Sequence, residues 1–573
     1  MKTFKLKIIF IAWMIGAFLV SLTYLLLHTK LVFYDLIFWT GIILSGITTF
    51  IVISSDEKIY TKLCFLFLFG LVLYIPHVLS SPNHFHIYDE MNHYQSSSLV
   101  YESGNPNVNS AFALSKYYPT LEILIAFFKN ITGDSIFASG LIIVSIIHSL
   151  AIIFLYFFLR NICSAKIASI GAFVYFFNSG YTYTDTYVSY ESIGFPLLVI
   201  CLFAISYNYG NKIRFMFIQY ILIFGLVATH HFSSYMLLLF LVILLFLKRK
   251  EDHDDIYRLT IFTAALIFAW VTYVAPKTLN YYYDILHTSS KGVIGLMLFK
   301  ERVSEVLSSS FLDVPYYELF IRRYLYVPLI LILILIGIYY LKNKKKLDAY
   351  ALTMIIFSTL FFISLIGTMT SSFEISRFST FGFIGVSLFI GASINKFNKK
   401  IFLRFLAIIL VILLLIGGVS LGTSSPYRGS YSNNIRVGQS TITADSISSA
   451  TWSETYAGRY NTFASDQATG AVLEYYGMQR VITNWEIFYP PTVDKSVLYH
   501  LRYNNASYLA TDIRITKFIS ELRYYFNIDE LYLNESYGRT KPFPENLIKK
   551  FDNNEMFLKI YDNGNINIYN IVW

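Results

Sequence analysis

Charge is what this sequence has least of. Asp, Glu, Lys and Arg make up 14% of its 573 residues, where a soluble chain carries about 25%. Hydrophobic residues make up 55% and aromatics 18%, so a string of soluble domains is excluded as the main architecture. Cysteine is also scarce. Cys64, Cys163 and Cys201 stand alone in or at the edge of apolar segments, which excludes a disulfide framework and a thiolate metal site. Three signatures are missing as well: a P-loop, a Gly-rich dinucleotide fingerprint and H-E-x-x-H. No repeat in the 20–50 residue range is visible. The formal charge of +9 comes from Lys and Arg scattered through short segments, a distribution that does not suit nucleic acid.

What the chain has instead is long apolar runs. They lie near 7–27, 32–53, 60–80, 135–159, 166–180, 188–207, 213–232, 233–248, 256–276, 324–341, 348–369, 378–394 and 401–422. Crossing a bilayer takes about 20 residues, so the expected fold class is a polytopic α-helical membrane protein of about 13 transmembrane helices. The first run follows Met1-Lys2-Thr3-Phe4-Lys5-Leu6-Lys7 but is long for a signal peptide and lacks a small-residue cleavage site, so it is kept as a helix. Basic residues orient the set. With the N-terminus cytoplasmic, the inner segments hold about 21 Lys and Arg and the outer ones about 10. An odd number of crossings then puts the chain after residue 422 outside a plasma membrane.

Two domains follow from this reading: 1–422 as the transmembrane body, with outer loops 81–134 and 277–323, and 423–573 as a small extracytoplasmic α/β domain. The second has no apolar run. Ser465-Asp466-Gln467-Ala468-Thr469-Gly470 reads as a helix start capped by Asp466, and 498–512 as a short helix followed by a strand. The tail alternates apolar and polar residues around Asn563-Gly564, a β-hairpin signal.

Four polar clusters fall on the outer side. The first, His84-Phe85-His86-Ile87-Tyr88-Asp89-Glu90-Met91-Asn92-His93, reads as an extended loop. Asp89, His86 and His93 suit a divalent cation such as Mg or Mn, and either acid suits a general base on an acceptor hydroxyl. The bland alternative is a solvated loop. Beyond it, 117–129 is amphipathic and suits a helix lying at the interface. The second cluster holds Asp185 and Glu191 among tyrosines, which equally fit an aromatic belt and a helix-terminal acid. The third is His230-His231, suited to metal, phosphate or proton transfer but also to packed core histidines. The fourth is Glu374 and Arg377, spaced to pair on one helix face, with Arg377 suited to fork onto a phosphate. Glu251-Asp252-His253-Asp254-Asp255, on the inner side, reads as a solvated connector.

An early outer loop with the acidic pair Asp89-Glu90, an amphipathic helix after it, a second outer loop carrying Asp185, and many spans followed by an outer domain together resemble the GT-C glycosyltransferases. Those include oligosaccharyltransferase catalytic subunits, protein O-mannosyltransferases and aminoarabinose transferases. Two features depart from that pattern. The acidic loop follows the third span, not the first, and the tail has no W-W-D-[YW]-G signature, Asn484-Trp485-Glu486 not being one. The resemblance therefore points to a monosaccharide transferase or an uncharacterised branch rather than sequon-directed transfer. It implies inverting transfer of a sugar from a polyprenyl or dolichyl phosphate to an outer-face glycan, lipid or protein. Catalytic roles would fall to Asp89, Glu90 and Asp185. Arg377, His230, His231 and Glu374, or a metal on Asp89, His86 and His93, would meet the donor phosphate. Rival readings are a lipid-linked glycan polymerase or ligase using loop 277–323 (Lys291, Lys300, Arg302, Arg322, Arg323), a lipid-linked sugar transporter or flippase, and a receptor or scaffold. Against the transporter, the chain has neither duplicated halves nor paired broken helices.

Reporter fusions test the orientation. Those after Arg258 and Lys346 are expected to report cytoplasm and those near Ser110 and Tyr460 the outside. A cytoplasmic reading at Tyr460 contradicts both the odd count and the outward site.

Overall fold

The structure is a computed structural model. It describes residues 2–27, 34–85, 87–110, 114–207, 212–248, 253–279, 315–344, 347–369, 377–397, 401–422, 442–520, 524–533, 537–538 and 541–573. The chain forms two compact units. One comprises Met1–Pro82, Tyr117–Leu124 and Ala138–Ser430; the other comprises Asn83–Lys116, Ile125–Phe137 and Tyr431–Trp573.

The helices through the first unit, with two that bring in the second, run in chain order. They begin α1 (Lys2–Leu27), α2 (Tyr34–Ser54), α3 (Ile59–Ser80), α4 (Tyr88–Ser103), α5 (Thr120–Thr132) and α6 (Ile136–Ile162). Next come α7 (Ala165–Tyr175), α8 (Ser179–Thr182), α9 (Tyr190–Ser206), α10 (Lys212–Thr229), α11 (His231–Leu247) and α12 (His253–Ala269). The last are α13 (Tyr316–Phe320), α14 (Val327–Asn343), α15 (Ala349–Met369), α16 (Phe378–Phe397) and α17 (Ile401–Gly422). Among the described residues, eight helices are long and apolar enough to cross a membrane and five more are shorter apolar helices. Each of the thirteen apolar runs of the sequence coincides with one of them, so this is a multi-pass membrane protein. Such regularity follows from the solvent: in hydrocarbon each backbone N–H and C=O must be paired within the protein, and a helix does that locally.

Of the eight long spans α16 is the most enclosed, with 83% of its apolar stretch buried against 28–61% for the others. It packs on α7, α14 and α15. Small residues permit this. A methyl group on Gly385 would overlap the Met354 carbonyl oxygen of α15, and one on Gly337 of α14 would overlap the Phe389 carbonyl oxygen of α16. Close backbone approach of this kind is how membrane helices gain packing without a hydrophobic drive between them.

The second unit holds a five-stranded sheet. Its strands are β1 (Thr462–Ala464), β2 (Arg480–Ile482), β3 (Tyr508–Asp512), β4 (Phe557–Asp562) and β5 (Ile566–Ile571), ordered β2-β1-β3-β5-β4. β1 runs parallel to β2 and β3, while β5 runs antiparallel to β3 and β4. The hairpin expected around Asn563-Gly564 joins β4 to β5, with Gly564 at φ 89°. Around the sheet lie α18 (Ala444–Trp452), α19 (Gln467–Tyr475), α20 (Trp485–Phe488), α21 (Lys495–Tyr503) and α22 (Glu545–Lys549). Lys550 Nζ donates to the carbonyls of Ile487, Phe488 and Pro490 at 2.8–2.9 Å and so closes the C-terminal end of α20.

The segment read as an extended loop around Asp89 is instead the start of α4. Its buried side is mostly polar, with Asn92, His93, Gln95, Ser96 and Ser97 beside Met91 and Val100, so no apolar periodicity announced it. The Tyr476 hydroxyl donates to the Phe85 carbonyl (3.0 Å) and accepts from the Phe85 N–H (2.7 Å). Gln95 donates to the Glu474 carbonyl, and Arg459 forks onto Glu102.

Asp466 caps α19 as expected, its Oδ1 accepting from the amides of Ala468 and Thr469 at 3.0 Å. Burial, and after it the Asp512 carboxylate, push its pKa up to about 6. Between the ordinary carboxylate value and that one, the folded chain holds more protons than the unfolded chain, so this group's share of stability falls as pH rises through that window. Lowering pH from 7 to 5 is expected to regain on the order of 1–2 kcal/mol from Asp466. Asp466→Asn keeps the cap and removes that gain. Thermal melting of both purified proteins at the two pH values checks it, and identical pH dependence contradicts it.

Candidate functional site

Three helix N-termini of the first unit meet at one place. Glu191 lies in the first turn of α9, His230 is the N-cap of α11, and Arg377 immediately precedes α16. Arg377 Nε stands 3.0 Å from Glu191 Oε1, and His230 Nε2 stands 3.8 Å from the same oxygen. His230 Nδ1 shares a 2.8 Å hydrogen bond with the Ser233 hydroxyl, which fixes the ring. Gly194 makes room for it: a Cβ there would come 2.5 Å from His230 Cβ. Phe232 packs against Phe378 and Phe381, joining the starts of α11 and α16.

The electrostatics favour an anion. Each helix N-terminus carries about half a positive charge, and Arg377 adds a full one. Glu191 offsets part of this and orients the guanidinium. His230 and His231 are both buried, with ring centroids 5.1 Å apart. Tyr190 lies against both, and Tyr118 lies 5.2 Å from His231. The Tyr118 hydroxyl is within 3.3 Å of the Thr278 hydroxyl.

Asp185 sits in the 3₁₀ turn Thr184–Thr186, between α8 and α9. It is 4% exposed, and its Oδ2 makes no hydrogen bond among the described residues. Burial, and then the Glu191 charge, hold its pKa well above the ordinary carboxylate value. His148 of α6 is a further buried group. Its Nε2 is 2.8 Å from the Tyr181 carbonyl, and its ring stacks on Tyr181 at 3.8 Å. Only a lone histidine in an apolar run marks it in the sequence.

The remaining expected site residues are placed as follows. Asp89 and Glu90 occupy the first turn of α4, in the second unit, where Asp89 is exposed and Glu90 and His93 are buried. His86 and Glu374 lie outside the described residues, as do Lys291, Lys300 and Arg302. The ion pair seen for Arg377 is with Glu191, from a helix remote in sequence. Among the described residues no three His, Cys, Asp or Glu side chains form a cation site. Of the three residues read as ligands for Mg or Mn, Asp89 and His93 lie one turn apart on α4, Asp89 exposed and His93 buried, and His86 lies outside the described residues.

No protein-family model matches the sequence, and no curated protein matches it. Solved structures do match in fold. The Archaeoglobus fulgidus oligosaccharyltransferase in the apo form aligns with a TM-score of 0.55 at 11% identity, covering 80% of this chain and 71% of that one. The same organism's oligosaccharyltransferase in complex with an inhibitory peptide and a dolichol-phosphate aligns at 0.53, with 11% identity over 80% of this chain and 70% of that one. The arabinofuranosyltransferase AftD from Mycobacteria aligns at 0.54 with 10% identity, over 90% of this chain and 42% of that one. These are GT-C glycosyltransferases, and this chain has their fold.

Proposed function

We propose that the protein is a membrane glycosyltransferase that moves a sugar from a polyprenyl- or dolichyl-phosphate donor to an acceptor hydroxyl, with inversion, on the outer face of the plasma membrane. The observation that carries this reading is Arg377 held by Glu191 among three helix N-termini, in a chain with the GT-C fold.

The chemistry asks for such a place. The donor is a phosphodiester with one negative charge. As the acceptor oxygen bonds to the anomeric carbon, the bond from that carbon to the phosphate oxygen breaks and its electron pair leaves with the lipid phosphate. The departing phosphate thereby gains a second charge. Arg377 and the helix N-termini stabilise that new charge, which is greater in the transition state than in the bound donor. His230 and His231 line the same place and complete the phosphate site. The anomeric carbon gains oxocarbenium character, as in glycoside hydrolysis. Asp185 is suited to face it: burial opposes its negative charge until a positive one develops beside it.

The hydroxyl proton goes to a carboxylate. We assign that role to Asp89, the exposed member of its pair, with buried Glu90 supporting it. The isoprenoid tail of the donor lies along apolar helices. The acceptor is a glycan, lipid or protein, and monosaccharide transfer is the preferred form.

Purified protein in nanodiscs, given radiolabelled polyprenyl-phosphate sugars and acceptor, is expected to release polyprenyl phosphate. Asp89→Asn should lower release at least about 10²-fold while leaving donor binding intact. Near-normal release by Asp89→Asn moves the base to Asp185. No release by the unaltered protein from any donor in the panel contradicts the reading.

A further inference from the structure

The outward side of α21 is built differently from what its packing requires. Val497 and Leu501 are buried and seat the helix on the core of its unit. Asp494 caps it through the amides of Ser496 and Val497 at 2.9 and 3.0 Å. The exposed positions carry Lys495, Ser496, Tyr499, Arg502 and Tyr503. Tyr499 and Tyr503, one turn apart and 61% and 73% exposed, stack with centroids 5.9 Å apart and planes 24° apart. Beside them the Arg502 guanidinium lies 4.9 Å over the ring of Trp573, itself 49% exposed. Arg502 and Lys495 make no ion pair or side-chain hydrogen bond among the described residues.

We propose that this face binds an anionic saccharide, a stretch of the acceptor glycan; the proposal rests on the glycosyltransferase reading. A pyranose ring presents a flat C–H face that packs on an aromatic ring, and two stacked tyrosines beside an indole offer successive seats. Aromatic side chains provide rigid contact area at low entropic expense. Among the described residues Lys495 and Arg502 are unpaired, whereas the nearby acids are engaged, Asp494 as the cap of α21 and Glu486 on His500 at 3.3 Å. A guanidinium layered on an indole keeps its N–H edge for a carboxylate or sulfate on the sugar. A lipid surface is the poorer match. Helices that lie in a bilayer interface present a broad apolar face, and none of the exposed positions of α21 carries a Leu, Ile, Val or Phe.

The test uses the full chain in nanodiscs of neutral phosphatidylcholine. The probes are oligogalacturonate, a neutral cello-oligosaccharide of matched length, and separate vesicles of phosphatidylglycerol, each titrated with the release of polyprenyl phosphate followed alongside. Oligogalacturonate is expected to bind, and Tyr499→Ala with Tyr503→Ala to weaken it by about tenfold. The Tyr499→Phe, Tyr503→Phe variant should restore binding. Arg502→Ala should erase the preference over the neutral sugar. Phosphatidylglycerol binding without oligogalacturonate binding overturns the proposal, as does saccharide binding that the alanine variants leave unchanged or that neither probe shows. Protein that releases polyprenyl phosphate yet binds no saccharide here loses this proposal alone. Protein that binds saccharide at α21 but releases no lipid phosphate loses the enzymatic reading instead.

Discussion

A guanidinium ahead of a helix N-terminus stands against the helix dipole, and in a membrane-spanning body little water offsets the opposition. Arg377 is in that position at the start of α16, the most enclosed of the long spans. The Glu191 carboxylate at 3.0 Å makes it tenable. The same carboxylate brings α9 up to α16, and His230 beside it brings α11 to the same point. The tight joint between Gly194 and His230 and the Phe232–Phe378 contact then hold the three helix starts in register. The result is a guanidinium fixed among three helix N-termini, where the proposed reading puts the departing phosphate.

The membrane body was legible because its signal is coarse. A run of about 20 apolar residues survives errors of several residues at each end, and all thirteen runs coincide with helices. Local chemistry was legible too: Asp466 caps α19 and Asn563-Gly564 turns the hairpin, since both depend on residues within a few positions. The helix α4 was not, because its buried side is made of Asn, His, Gln and Ser instead of aliphatics. Nor was the Arg377–Glu191 pair. Periodicity points only to partners three or four residues away, such as Glu374, which lies outside the described residues, while Glu191 arrives from another helix through tertiary packing. The tie of Glu102 to Arg459 was invisible for the same reason.

The second unit illustrates how a membrane protein recruits its own loop. Residues 83–116 and 125–137 cluster with 431–573. Tyr476 gripping both backbone groups of Phe85, and the fork of Arg459 on Glu102, order α4 and so set which side of it is exposed. Asp89 thus stands exposed from an ordered helix while Glu90 is enclosed. The base role proposed for Asp89 would benefit from that rigidity, because proton transfer depends on reach before it depends on pKa.

The central claim is that Arg377 receives the lipid phosphate. Equilibrium binding of a short-chain polyprenyl phosphate to nanodisc-embedded protein, compared between the unaltered chain and Arg377→Lys, tests it most directly. Lysine keeps the charge and loses the planar fork, so the account predicts weaker binding by about 1–3 kcal/mol, roughly 5- to 150-fold, in protein that melts as the unaltered chain does. Equal affinity in the two proteins would contradict it.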